Sequence, residues 1–149
     1  MTTSTVTSGR GRRRGWIAVR TFARAAESIS AIRGWVRLRL RAARVEADVV
    51  DATELLISEI ATNAVRHGCG DEITVRLDVD GGLEAAVHDE GLDGTPGVRH
   101  AGPDDVGGRG LAMVQSVSQS WGTRVEGTGK WVWFRLAVPG HTVVRVDDV

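Results

Sequence analysis

The stretch that decides the fold is "LLISEIATNAVRHGCG", from Leu55 to Gly70. Its apolar residues recur at the three- and four-residue steps of a helix, and Gly68 is suited to end that helix as a left-handed C-cap. Glu59 and Asn63 lie four residues apart, in one row with apolar residues. A carboxylate at the rim of a core has to be paired or solvated within a cleft. The row therefore predicts either a Glu59 paired along the helix with Asn63 or Arg66, or a helix wall that lines a binding cleft.

The composition is that of a single soluble domain. The chain has 149 residues, 42% of them hydrophobic and 26% charged, which suits one hydrophobic core. Its formal net charge of zero does not favour a general nucleic-acid binder. Cys69 is the sole cysteine, so an internal disulfide is excluded, and no apolar run is long enough to span a membrane. We therefore expect a cytoplasmic protein without a membrane segment.

The rest of the chain predicts one folded domain between two tails. Residues 1–15 are basic and rich in Thr, Ser, Gly and Arg, so we expect disorder, and residues 139–149 are expected to be a loose C-terminal tail. Residues 16–138 form the domain. Its predicted order is a strand, two helices, a hairpin, an irregular loop, a third helix over 108–120 and a last hairpin. Strands grouped in hairpins indicate an α+β architecture.

Two further segments carry chemistry. In "VHDEGLDG" a strand ends at Asp89 and Gly91 follows, which lets the backbone turn closely around a ligand. In "VGGRGLAMV" glycines run directly into a helix, where free N–H groups and the helix dipole favour an anion such as phosphate. Each motif alone also fits a simple turn or a plain loop end.

The order and spacing of these motifs resemble the GHKL, or histidine-kinase-like, superfamily of ATPases and kinases. Glu-x-x-x-Asn lies on a helix, Asp-x-Gly follows a hairpin, and Gly-x-Gly-Leu opens a helix after a long loop. "SEIATNAVRHG", "GRGLAMV" and "GKWVWF" are most similar to its bacterial anti-sigma factor branch of serine kinases. The resemblance implies a two-layer sandwich with a mostly antiparallel mixed sheet and helices packed on one face, and a site for ATP and Mg²⁺.

The resemblance also implies a role for individual residues. Glu59 matches the catalytic carboxylate, a general base for a serine hydroxyl or water. Asn63 matches the Mg²⁺ ligand, Asp89 the acceptor of a hydrogen bond from the adenine amino group, and Gly91 the glycine that passes beside the base. The remaining implied contacts are to phosphate, through backbone N–H groups or positive charge, from Arg66, His67, Gly108, Arg109 and Gly110.

Two positions depart from the family pattern. The loop over 92–107 is implied to be the ATP lid, and Asp93 stands in it where the wider superfamily has its second glycine, with Gly94 one place later. Trp131 in "GKWVWF" stands where the family often has a threonine that supports adenine through water. We expect these differences to affect the lid and the base pocket.

The implied function is that of an ATP-binding regulator of the anti-sigma-factor type. Such a protein is a serine/threonine kinase that phosphorylates an antagonist protein and sequesters a sigma factor, and family members are often homodimers. An alternative is a catalytically silent nucleotide-binding interaction module of the same fold. The sequence does not identify the sigma factor, the antagonist or the phosphorylated residue.

A second alternative is a nucleic-acid-binding protein that uses the arginine tail and an arginine stripe on the first helix. The stripe consists of Arg33, Arg37, Arg41 and Arg44. Basic tails bind phosphate backbones, but no helix-turn-helix or aromatic stacking platform accompanies this one. We therefore expect no direct nucleic-acid partner and interpret the stripe as a solvated face or a docking surface for an acidic partner.

Overall fold

The computed structural model of the chain describes residues 4–7, 15–91 and 118–138. In these parts the elements follow in the order β1 (Ser4–Thr7), β2 (Trp16–Ala23), α1 (Ser28–Ala42), α2 (Ala47–His67), β3 (Glu72–Val79), β4 (Leu83–Asp89), β5 (Ser120–Glu126) and β6 (Gly129–Leu136). The predicted α+β fold is confirmed. Neither of the helices in the described ranges is long and apolar enough to cross a membrane.

The six strands form one sheet in the order β1-β2-β3-β4-β6-β5, and every described pairing is antiparallel. The β3–β4 hairpin closes through Gly81, whose φ of 75° is one that glycine adopts without steric cost. Beside it, the Asp80 N–H donates to the Gly82 carbonyl at 3.0 Å. Gly81 and Gly82 therefore form the turn of the first predicted hairpin.

Period-two alternation decides which face of the sheet meets the helices. On β4 and β6 the residues of that face are buried, and all but two of them are apolar. They are Leu83, Ala85, Val87 and Asp89 on β4, and Lys130, Val132, Phe134 and Leu136 on β6. Because β4 ends and β6 begins at the same edge, Asp89 lies directly opposite Lys130 in the register. The alternation thus places an acid and a base inside the layer between sheet and helices.

The two helices complete the core. α2 packs on β4 and α1 packs on α2. Their buried apolar residues join one cluster with those of the sheet: Ile32, Trp35, Val36 and Leu40 from α1, and Val49, Val50, Leu56, Ile57, Ile60, Ala61 and Ala64 from α2. The C-terminal half of α2 therefore lies over the end of β4 that carries Asp89.

Some local expectations were wrong. Residues 1–15 are not wholly without structure, since Ser4–Thr7 pair with Trp16–Val19 as an edge strand. Gly68 is not a left-handed cap: its φ of −79° and ψ of −179° are extended backbone. Leu55 is 49% exposed, so the row with Glu59 and Asn63 does not continue a core face but follows its border. The predicted third helix does not reach residue 120, because Ser120 begins β5, and its earlier part lies outside the described residues.

The arginine stripe is also not simply a solvated face. Arg37 donates from Nε to Glu54 Oε2 and from a terminal nitrogen to Asp51 Oδ1, both at 2.7 Å, and these hydrogen bonds raise the pKa of Arg37. Arg33 donates from Nε to Ser58 Oγ at 2.6 Å. Two members of the stripe therefore join α1 to α2.

Candidate functional site

A narrow cleft separates the C-terminal half of α2 from the ends of β4 and β6. Its lining residues are Ile60, Asn63, Ala64, His67, Gly68, Val87, Asp89, Lys130 and Val132. The lining therefore combines apolar side chains with four polar ones. The enclosed volume is about 10 Å³, room for about one water molecule, so a larger ligand needs the side chains to move apart. The structure thus brings three predicted site residues, Asn63, His67 and Asp89, to one cleft.

The base of the cleft is a buried carboxylate with defined partners. Asp89 is 2% exposed, and its Oδ1 accepts a hydrogen bond from the Gly91 N–H at 2.6 Å. The Lys130 Nζ lies 3.4 Å from the same oxygen and donates to the Gly91 carbonyl at 2.9 Å. A buried carboxylate needs such partners, because desolvating an unpaired charge is costly. Asp89, Gly91 and Lys130 therefore form one hydrogen-bonded unit.

Glycine is required where the chain passes around Asp89. A Cβ on Gly68 would lie 2.3 Å from the Ala64 carbonyl oxygen and 2.9 Å from Asp89 Cγ. A Cβ on Gly91 would lie 2.7 Å from Asp89 Oδ1. All three distances are shorter than real Cβ atoms show, so a side chain at either position would displace its neighbours. The two glycines hold the end of α2 and the start of the following loop close to the carboxylate.

The two polar residues of the opening stretch lie on successive turns of α2. Both Glu59 and Asn63 are half-buried, and only Asn63 belongs to the lining of the cleft. Within the described ranges, Glu59 makes no ion pair or hydrogen bond with Asn63 or Arg66, so the structure does not support pairing along the helix. Arg66 is exposed, and His67 is exposed while its inner side lines the cleft.

Part of the predicted site lies outside the described residues. This part consists of the loop over 92–107 and the phosphate-binding residues Gly108, Arg109 and Gly110. In the described parts of the chain, no cluster of three or more His, Cys, Asp or Glu side chains is arranged to hold a metal ion.

Trp131, which departs from the family pattern in "GKWVWF", is not among the residues that line the cleft. Its ring lies beside His88, with ring centroids 5.0 Å apart and the ring planes tilted by 53°, and its Nε1 donates to Glu126 Oε2 at 2.8 Å. Lys130, 3% exposed, points into the cleft instead. The period-two pattern of buried Val132 and Phe134 was the signal that could have identified it, because Lys130 shares their face.

Comparison with known proteins gives a family and a fold. The model of the histidine kinase-like ATPase domain matches residues 22–136. Among solved structures, the chain is similar to the crystal structure of the RsbU and RsbW domains of Rv1364c from Mycobacterium tuberculosis, with a TM-score of 0.58 and 19% sequence identity. That match covers 85% of this chain but 34% of the other, so this chain spans about a third of that protein's length. No curated protein matches significantly.

Proposed function

Since this chain belongs to the histidine kinase-like ATPase family, as its motifs predicted, we propose that its cleft binds ATP with Mg²⁺. We further propose that the protein is a serine/threonine kinase of the anti-sigma-factor type. It transfers the γ-phosphate of ATP to a serine or threonine of an antagonist protein and sequesters a sigma factor. The observation that carries the nucleotide site is the buried carboxylate of Asp89 in the same cleft as Asn63.

The chemistry of Asp89 fits the exocyclic amino group of adenine. A carboxylate that is 2% exposed has lost most of its water, so a ligand donor that reaches it gains a strong, charge-assisted hydrogen bond. A ligand without that donor does not form this bond, which favours adenine over bases that lack the amino group. The apolar side chains of Ile60, Ala64, Val87 and Val132 suit the faces of a planar ring.

The phosphate end of the proposed site begins at Asn63. Its amide oxygen is the hard donor that Mg²⁺ accepts, and Mg²⁺ usually takes few protein ligands besides water and substrate phosphates. The absence of a carboxylate cluster among the described residues is consistent with that mode. On sequence grounds Arg66, His67, Gly108, Arg109 and Gly110 complete the phosphate contacts, and the loop over 92–107 closes as a lid.

Glu59 is the proposed general base. It lies one helical turn before Asn63, half-buried, and no described residue pairs with it. A carboxylate in this place accepts the proton of an attacking serine hydroxyl, while the transferred phosphoryl group is held by the residues of the phosphate end. ATP supplies the phosphoryl group, with Mg²⁺ neutralising charge on its phosphates.

The partners are proposed from the motifs, with support from the fold likeness to a structure that contains an RsbW domain. A homodimer is part of this proposal. The second candidate is the catalytically silent interaction module. The narrow cleft favours this second candidate, because Lys130 already contacts the Asp89 carboxylate and the enclosed volume is only about 10 Å³.

Calorimetric titration with ATP, with and without Mg²⁺, tests the nucleotide site. We expect Mg²⁺-dependent binding by the wild type, and loss of at least about tenfold in affinity for Asn63→Ala and Asp89→Asn, the value of one good hydrogen bond to a charged group. Asp80→Asn, at an exposed turn, is the matched control and should bind as the wild type does. Absence of binding by folded wild-type protein would refute the nucleotide assignment.

Transfer of radiolabelled phosphate from ATP to a candidate antagonist then separates kinase from silent module. Glu59→Gln keeps the size of the side chain and removes the base, so we expect it to bind ATP and to lose transfer. Binding without transfer by the wild type, across the antagonists tested, would favour the interaction module.

A further inference from the structure

The buried lysine of the cleft has no role in the function proposed so far. Lys130 is 3% exposed, lines the cleft and lies directly opposite Asp89 in the β4–β6 register. An ion pair between buried residues is weak evidence for stability, because the cost of desolvating two charges offsets their attraction. An apolar residue at position 130 would continue the pattern of Val132 and Phe134 at lower cost. The lysine therefore calls for an explanation in terms of a ligand.

The hydrogen bonds of this pair leave donor and acceptor capacity on its two side chains. An ammonium group has three donors, and the described residues accept two of them, at the Gly91 carbonyl and Asp89 Oδ1. On Asp89, the Gly91 N–H and Lys130 both reach Oδ1. These contacts use two of the three donors of the Lys130 ammonium group and one of the two oxygens of Asp89, so the pair can offer both a donor and an acceptor to a ligand.

We propose that Lys130 reads the nucleotide base, donating a hydrogen bond to the ring nitrogen N1 of adenine while Asp89 accepts from the neighbouring amino group. The inference rests on the proposed ATP site and adds a specificity-determining residue to it. On adenine, a donor (the amino group at C6) and an acceptor (N1) are adjacent, which matches the neighbouring carboxylate of Asp89 and ammonium group of Lys130, whose Oδ1 and Nζ lie 3.4 Å apart in the cleft. The positive charge of Lys130 also offsets the negative charge of Asp89, so the base would contact a pair with no net charge.

An ATP analogue in which N1 is replaced by C–H tests this contact directly. This 1-deaza-ATP keeps the amino group for Asp89 and removes the acceptor for Lys130. We expect the wild type to bind ATP about ten- to a hundredfold more tightly than the analogue, the range for a hydrogen bond to a charged group. Lys130→Met, similar in length but without a donor, should bind both nucleotides with equal affinity.

Two controls keep the comparison specific. Arg135→Met removes a positive charge from the same strand at an exposed position on the other face, and should leave the ratio of the two affinities unchanged. If Lys130→Met does not fold, as judged by circular dichroism, Lys130→Gln replaces it. The shorter amide side chain of Lys130→Gln should reduce the ratio of the affinities for ATP and 1-deaza-ATP. The same ratio measured for the wild type alone already tests the contact.

The outcomes are distinguishable. Equal affinity of the wild type for ATP and 1-deaza-ATP overturns the inference while leaving the ATP site intact. Discrimination that persists in Lys130→Met overturns it as well. If Lys130→Met binds ATP more tightly than the wild type, and the wild type does not discriminate between ATP and 1-deaza-ATP, the inference is also overturned. Lys130 would then compete with the nucleotide for Asp89. Failure of the folded wild type to bind either nucleotide refutes the proposed function itself.

Discussion

Gly68 and Gly34 are two helix-associated glycines at which the same substitution should have opposite effects. Gly68 follows α2, and an added Cβ would lie 2.3 Å from the Ala64 carbonyl oxygen and 2.9 Å from Asp89 Cγ. Gly34 lies inside α1 at an exposed position, and an added Cβ would have no atom within 4 Å. Alanine is therefore too large at position 68, whereas at position 34 its methyl group meets no other atom.

The magnitudes follow from the surroundings of each Cβ. At Gly68 the obstructing atom is backbone, which moves only with the helix end, and overpacking of this kind costs about 1–3 kcal/mol. Alanine restricts the unfolded chain and recovers about 0.4–1 kcal/mol, because the extended φ of −79° suits it. We expect Gly68→Ala to lower the free energy of unfolding by about 1–2 kcal/mol, or the Tm by roughly 2–8 °C. Gly34→Ala should raise the free energy of unfolding by about 0.5–1 kcal/mol.

Urea unfolding followed by tryptophan fluorescence measures both changes, since the chain contains five tryptophans. Titration of the same proteins with ATP adds a second measurement, the affinity for the nucleotide. Gly68→Ala should bind ATP more weakly, because its methyl group displaces Asp89, whereas Gly34→Ala should bind as the wild type does. A Gly68→Ala protein as stable as the wild type, or two substitutions that shift stability in the same direction, would refute the reasoning.

Two electrostatic predictions follow from other parts of the structure. Burial raises the pKa of Asp78 above its ordinary 3.8, so its carboxylate costs stability above the folded pKa, and this cost disappears as the pH falls below 3.8. Asp78→Asn should therefore stabilise the protein at neutral pH by up to about 0.5 kcal/mol, and this gain should disappear in acid. Urea unfolding of both proteins at several pH values tests this. A gain in stability that grows as the pH falls would contradict it. Arg37→Gln should destabilise the protein slightly by removing its bonds to Asp51 and Glu54, and thermal unfolding should show a smaller difference at high salt; a difference that is unchanged by salt would point to packing instead.

Local patterns in the sequence predicted most of the fold. Alternation in β3 and β4, the glycines of the turn between them and the periodicity of α2 are properties of neighbouring residues, and the structure contains all of these elements. The end of β4 at Asp89 was found in the same way. For the site, this local information was enough to place Asn63 and Asp89 at one cleft through the family resemblance.

Features that depend on distant contacts were missed. Gly68 was expected to be glycine for its handedness, but the reason is the approach of Asp89, which the sequence does not reveal. Lys130 was not among the predicted site residues, because whether position 130 or 131 faces the cleft depends on which face of β6 meets α2, and a shift of one residue exchanges the faces. Arg33 and Arg37 seemed to form a solvated stripe because their partners Ser58, Asp51 and Glu54 lie on another helix.

Asp89 is the residue on which these missed contacts converge. Gly68 and Gly91 approach it because they lack a side chain, and Lys130 reaches it from the facing strand. Stability alone does not account for the arrangement, since an apolar pair on β4 and β6 would fill the same space without desolvating charge. An acid kept in place by two glycines and a lysine is instead expected where a ligand must find an oriented acceptor. We therefore interpret the cost of burying Asp89 as preorganisation of the end of the cleft at which we propose that the base binds.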